Sequence, residues 1–239
     1  MRLFIYHPDN MTPEEKEQEK KVFRYSLVVP SLFTIAFWLI KVIEEVMKLN
    51  FVKGGIFPLH TKGLMGIITS PFIHSGFEHL FSNTLPFFIL STALFFFYRQ
   101  LAYRIFFMIY VLSGICVWLG AREAWHIGAS GVVYGLAAFV FFSGVFRKQM
   151  RLLTVAIIVV FLYGGMFWGI FPIKPGVSWE SHLWGAMSGL ILSIVYRHQG
   201  PTRKKYDWED EEDEEDSEYE VKYWLTDKDI NPYDKNSVE

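Results

Sequence analysis

Three short clusters in this chain place imidazole, hydroxyl and amide groups inside or at the mouth of long apolar runs. They read Glu78-His79-Leu80-Phe81-Ser82-Asn83, then Gly128-Ala129-Ser130-Gly131 followed by Tyr134, then Glu180-Ser181-His182-Leu183-Trp184-Gly185 followed by Gly189. Polar and ionisable groups are costly in an apolar run and mark candidate functional sites. A serine hydroxyl is a weak nucleophile until a base takes its proton, and a histidine does this near neutral pH. Ser130 is therefore the candidate nucleophile and His182 the candidate base. His79 and Asn83 are four residues apart, so they share one helix face. With the unpaired backbone N–H groups of a helix opening at Gly128, they form a candidate oxyanion site, worth roughly 3–4 kcal/mol per good donor. Tyr134 lies one turn below Ser130. It is read equally as an aromatic packing residue and as an orienter of the imidazole by stacking or hydrogen bonding.

Such chemistry requires elements that bring the clusters together. A bilayer core is crossed by about 20 apolar residues in a helix. Six runs qualify: Tyr25–Val46, His79–Tyr98, Ala102–Gly120, Gly128–Phe146, Leu152–Phe171 and Trp179–Tyr196. They lack the period-2 alternation of strands, so they are read as helices. Lysine and arginine alternate between the loops. Arg2, Lys16, Lys20, Lys21 and Arg24 precede the first run, Arg99 and Arg104 flank the next turn, and Arg147, Lys148 and Arg151 follow the fourth run. Arg197, Arg203, Lys204 and Lys205 follow the sixth. The other loops are poorer, with Lys48, Lys53 and Lys62 in a long one, then Arg122 alone and Lys174 alone. By the positive-inside rule both termini are cytoplasmic. Runs two, four and six then travel inward from the outer face, and the three clusters sit at one depth near it. The pairs Gly131/Gly135 and Gly185/Gly189 allow runs four and six to approach closely, which would bring Ser130 within reach of His182.

The chain is 51% hydrophobic and 18% aromatic. Its net charge of −2 conceals a basic body and an acidic tail, since residues 209–216 are all Asp or Glu. The tail is too charged for a packed core and is expected to be disordered. The basic residues sit in short clusters between apolar runs, which is a pattern of membrane loops and not of a nucleic-acid partner. Cys116 is the single cysteine, which excludes an intrachain disulfide. The first 24 residues are polar and charged, and no signal peptide is expected. Residues 47–78 are too long for a plain connector and carry many apolar side chains, so they are read as an ordered outer loop at the membrane surface. The expected organisation is a cytoplasmic segment over 1–24, a membrane domain over 25–198 and a cytoplasmic tail over 199–239. His74 and His126 are read as loop residues near the mouth of the site, and Phe167 and Trp168 as part of an aromatic belt. A zinc site on His74 and His79 is disfavoured, because the spacing matches no known zinc motif. No metal or cofactor is expected.

The motifs resemble those of rhomboid intramembrane serine proteases. Gly128-Ala129-Ser130-Gly131 with Tyr134 is similar to their GxSGxxY element. His182 with Gly185 and Gly189 is similar to HxxGxxxG, and His79 with Asn83 to HxxxN. Leu64-Met65-Gly66, Ser70-Pro71-Phe72 and His74 resemble the stretch that leads into the last of these. The resemblance spans about residues 26–197. It implies an all-α polytopic membrane protein, a six-helix rhomboid-like bundle with both termini cytoplasmic; the short body and the lack of a targeting sequence favour a bacterial inner membrane. It implies Ser130 as nucleophile, His182 as general base and acid, and His79 and Asn83 as oxyanion stabilisers. The substrates would be single-span membrane proteins, reaching the site between runs two and five, with residues 173–179 as a cap. Membrane lipids surround the protein, and the oligomeric state is left open. The family's Trp-Arg pair is absent from residues 47–78, and Ser181 stands where alanine is usual. Two other functions compete. A catalytically inactive relative that binds membrane clients would not need Ser130 and His182. A transporter would place its polar groups near the midplane.

Overall fold

The computed structural model describes residues 12–162, 166–173 and 176–200, without the side chains of 162–167. The acidic tail, the first eleven residues and the Phe167 side chain lie outside that range. The elements below belong to the unit Glu15–Arg203, except that the first helix begins two residues earlier.

The described residues form helices and turns and no strand. In chain order they are α1 (Pro13–Ser26), α2 (Val28–Val46), α3 (Gly66–Thr69), α4 (Phe77–Tyr98), α5 (Ala102–Gly120), α6 (Ser130–Phe146), α7 (Met150–Leu162), α8 (Met166–Gly169) and α9 (Trp179–Val195). Pro13–Val46, Phe77–Tyr98 and Ala102–Gly120 are long and apolar enough to cross a membrane, whereas Ser130–Phe146 and Met150–Phe161 are apolar but shorter. α5 has the limits expected from the sequence. α6 starts two residues later than expected, because Gly128 adopts a φ of +105° that a helix does not accept. Within the run expected over 152–171, the described helical residues are those of α7 and α8.

Large apolar residues lie on the surface as well as in the core. Ser91, Ser113, Ser143, Ser188 and Ser193 are buried, whereas Leu32, Ile35, Phe161 and Val195 are more than half exposed. Buried hydroxyls bond back to their own helices, as Ser188 does to the Trp184 carbonyl at 2.8 Å and Ser193 to the Leu190 carbonyl at 2.7 Å. Small polar residues buried between helices and large apolar residues on the surface suit helices surrounded by hydrocarbon. An aromatic core still forms where α2, α4 and α5 meet. Phe33 lies 5.1 Å from Phe106 edge to face, and Phe37 lies 5.0 Å from Phe87.

α6 and α9 make the most extensive helix contact. A Cβ on Gly185 would overlap the Gly131 carbonyl oxygen, and one on Gly189 would overlap that of Gly135. Gly135 is also closed by the Ile109 side chain from α5. The four glycines thus form one crossing, in which backbone meets backbone without intervening side chains.

The outer loop is tied down without a Trp-Arg pair. The Ile56 N–H donates to the His126 carbonyl at 2.9 Å, and the His126 N–H returns to the Ile56 carbonyl at 2.8 Å. This is an isolated antiparallel bridge. The Leu59 N–H bonds to the Trp118 carbonyl at 3.0 Å, and the Trp118 indole N–H bonds to the His60 carbonyl at 3.1 Å. The Tyr110 hydroxyl donates to the Ile68 carbonyl. At the loop's start Lys41 and Glu44 are both buried and paired at 3.0 Å, while Glu44 also accepts from the Phe51 N–H at 2.9 Å. A buried charge needs such pairing to be tolerated, so this pair fixes the loop's first residues to α2.

Candidate active site

Ser130 is the first residue of α6 and is 8% exposed. The local sequence explains its position. Gly128 takes its left-handed φ, and its N–H donates to the Ser70 carbonyl at 2.9 Å. The helix then begins at once, so the first N–H groups of α6 have no intrahelical acceptor. The His79 ring lies over Gly128, where a Cβ would meet Cε1 at 2.7 Å and Nε2 at 2.8 Å. Glycine is therefore required at 128 on two grounds, conformation and space.

His182 lies in the first turn of α9 and is buried. Its ring stacks on that of Tyr134, with centroids 4.2 Å apart and planes 6° from parallel. Both roles read for Tyr134, aromatic packing and orientation of the imidazole, fit this stacking. The His182 Nδ1 lies 2.7 Å from the Gly169 carbonyl oxygen, at the end of α8. The residue before His182, Ser181, faces Gly131, and its carbonyl oxygen would stand 3.3 Å from a Cβ added there. The residues that follow Ser130 and precede His182 are thus in contact across the glycine crossing.

Asn83 is buried, and its amide donates to the His79 carbonyl at 2.9 Å. An amide carries two N–H groups, so one remains for another acceptor on the side of Gly128, where an added Cβ would lie 3.9 Å from the amide nitrogen. His79 holds its orientation through Nδ1, 3.2 Å from the Ser75 hydroxyl. His74 is not on the same helix as His79, since α4 begins at Phe77. The two rings consequently meet edge to face at 5.2 Å, and His74 also packs on Phe37.

His126 links three loops. Its Nε2 donates to the Arg122 carbonyl at 2.9 Å, so Nδ1 accepts from the Ser178 hydroxyl at 2.5 Å. Ser178 in turn lies 2.6 Å from the Ser181 hydroxyl and accepts from the Ser181 N–H, capping α9. Arg122 pairs with buried Glu180 at 3.2 Å and donates to the Val177 carbonyl at 3.0 Å. The segment before His182 is therefore held to the 121–128 loop, which is itself bridged to Ile56. Sequence reasoning assigned none of these anchoring roles. Ser181, noted as a departure from the family pattern, supplies one of the hydroxyls. Trp168 is 60% exposed and lies 6.3 Å from Phe171, at the outer margin of α8.

Burial pushes the His126 ring below the usual histidine value, opposed by its bond to Arg122 and by Glu180. Burial, with His79 adding, takes the loop residue His74 down to about 3. His74 stays neutral in the folded protein and His126 resists protonation there, while the unfolded chain protonates both below about pH 6.5. Stability is therefore full above that pH and falls as the pH drops, by up to about 1.4 kcal/mol per unit for each group. We expect a lower thermal midpoint in detergent at pH 5 than at pH 7.5. His126→Gln should reduce that difference. Equal midpoints at the two values would show that these rings are free to protonate in the fold.

The Rhomboid domain model matches residues 61–199, more than half of the chain. A Mycobacterium tuberculosis protein, "Uncharacterized protein Rv1337", is 32% identical over 186 residues, covering 72% of this chain and 75% of that one. "Uncharacterized protein ML1171" of Mycobacterium leprae is 28% identical over 203 residues, covering 80% of this chain and 79% of its own. A Bacillus subtilis protein carries the name "Putative rhomboid protease YdcA" and is 28% identical over 144 residues, covering 54% of this chain and 65% of its own. This chain belongs to the rhomboid family, and its apolar helices are those of an integral membrane protein.

Proposed function

We propose that the protein is an intramembrane serine endopeptidase that cleaves single-span membrane proteins in or near the outer leaflet. The observation that carries this reading is the glycine crossing of α6 and α9, which sets the first turns of both helices side by side with the His182 ring stacked on Tyr134. In this reading His182 takes the proton of Ser130 as the hydroxyl attacks the scissile carbonyl. It returns that proton to the leaving amine, and a water then hydrolyses the acyl-enzyme by the same route. The oxyanion meets the first N–H groups of α6, the second amide N–H of Asn83 and the His79 ring. Membership of the rhomboid family supports the reading.

The proposed topology has six crossings. α1 and α2 give the first, α4 to α6 the next three, α7 with α8 the fifth and α9 the sixth. Both termini face the cytoplasm. α4, α6 and α9 then run inward and share the depth of the site. Substrate reaches it from the bilayer between α4 and the α7–α8 segment. The named relatives are bacterial, which supports a bacterial inner membrane.

A fluorophosphonate probe tests the dyad directly. In proteoliposomes it should label Ser130, and His182→Ala should slow labelling at least 100-fold, the scale of a lost general base. Labelling at the parental rate in that variant would remove His182 from the base role.

A further inference from the structure

A neutral imidazole donates from one nitrogen and accepts at the other. For His182 to take a proton from Ser130 at Nε2, the hydrogen must reside on Nδ1, and something must hold it there. In many serine hydrolases a carboxylate does so. Here the carboxylate two residues before His182, Glu180, is turned to Arg122. The group facing Nδ1 is the main-chain carbonyl of Gly169 at 2.7 Å. A carbonyl only accepts, so this contact selects the Nδ1–H form and leaves the Nε2 lone pair available.

The residue type at 169 is a second observation pointing the same way. A Cβ there would overlap the Tyr134 hydroxyl and stand 3.0 Å from His182 Nδ1. Gly169 has no positive φ, so space, and not backbone conformation, calls for glycine. Without a side chain the α8 carbonyl reaches the ring in the plane that Tyr134 defines by stacking. Trp168, next to Gly169, is 60% exposed. The base is thus held by a segment that reaches the margin of the bundle.

We propose that Gly169 is a positioning residue whose carbonyl orients His182, so that the base is competent only while α8 is seated. An outward shift of α8 by about 1 Å would stretch the bond beyond hydrogen-bonding range. Access of substrate past this segment and readiness of the base are then one coupled event. The inference rests on the serine-protease reading above.

The test replaces one atom. Incorporation of the 2-hydroxy analogue of isoleucine at Ile170 converts the 169–170 amide to an ester, which weakens the Gly169 carbonyl as an acceptor and keeps every side chain. Nitrogen-15 spectra of His182, assigned by His182→Ala, report its tautomer in proteoliposomes. The parent should show the Nδ1–H form. The ester should show a mixture with the Nε2–H form, and its maximal rate of fluorophosphonate labelling should fall about tenfold, with the half-saturating probe concentration unchanged. Glycolic acid at 169 moves the ester one bond earlier, leaves this carbonyl an amide, and should keep the parental tautomer and rate. An unchanged tautomer in the Ile170 ester overturns the proposal, whether or not the rate falls, because a rate change alone reports packing. An equal loss in the glycolic acid variant overturns it too. A parent protein that takes no label overturns the protease reading itself and is seen before any variant is made.

Discussion

Ser130→Ala should abolish cleavage of a single-span substrate in proteoliposomes, with a fall of roughly 10⁴-fold or more. The large effect follows from the way the groups act as a unit. In the proposed mechanism the hydroxyl is the one atom of this site that bonds to substrate, and neither Tyr134 nor Asn83 replaces it. Substrate binding should survive, because the alanine removes only one oxygen at a buried position. The variant should therefore still co-purify with substrate while leaving it intact. Cleavage by the variant at a rate comparable to the parent would rule out the serine mechanism, and with it the roles given to His182 and Gly169.

The second large effect is expected at the helix crossing. In Gly185→Val the new side chain would meet the Gly131 carbonyl oxygen, which belongs to the backbone and cannot rotate away. α6 and α9 must separate, and overpacking of this kind destabilises by about 1–3 kcal/mol. The kinetic effect should exceed the effect on stability. A misplacement of reacting groups by about 1 Å can cost on the order of 100-fold in rate, and this contact lies one turn below Ser130 and His182. Gly76→Ala is the matched control, since a Cβ there meets nothing within 4 Å and its φ of −171° is extended backbone. The expected outcome is a cleavage rate at least 100-fold lower for Gly185→Val and a parental rate for Gly76→Ala. A Gly185→Val protein that cleaves within twofold of the parent would show that the close approach of α6 and α9 does not set the geometry of the site.

Much of this arrangement was legible in the residue types. The apolar runs gave α5 its limits and gave α9 its start at Trp179, because a bilayer-length run ending in glycine or beginning after a polar cap leaves little freedom. The Gly131/Gly135 and Gly185/Gly189 pairs announced the crossing, since glycines four residues apart line one face. Tyr134 could be placed on the side of Ser130 but not against His182 until the interhelix distance was known. What the sequence concealed is carried by backbone. The Gly169 carbonyl that faces His182 has no signature in residue type, and the bridge between Ile56 and His126 is made of main-chain groups. The missing Trp-Arg pair left the outer loop without a visible anchor, whereas Trp118, Tyr110 and His126 hold it from α5 and the following loop.

The pairing of Ile56 with His126 also governs the order in which the chain is put together. The two residues are 70 positions apart, so the outer loop emerges from the ribosome well before the strand partner it requires. At roughly 5–20 residues per second of synthesis, the wait is several seconds. Trp118, which pairs with Leu59 and His60, arrives scarcely earlier. During that interval Leu59, Met65 and Ile68, all more than half exposed even in the finished fold, need an apolar surface. The lipid interface beside the first helix supplies one. In the proposed topology the membrane would then serve as a temporary scaffold for this loop during biogenesis, before α5 and the 121–128 segment arrive to hold it.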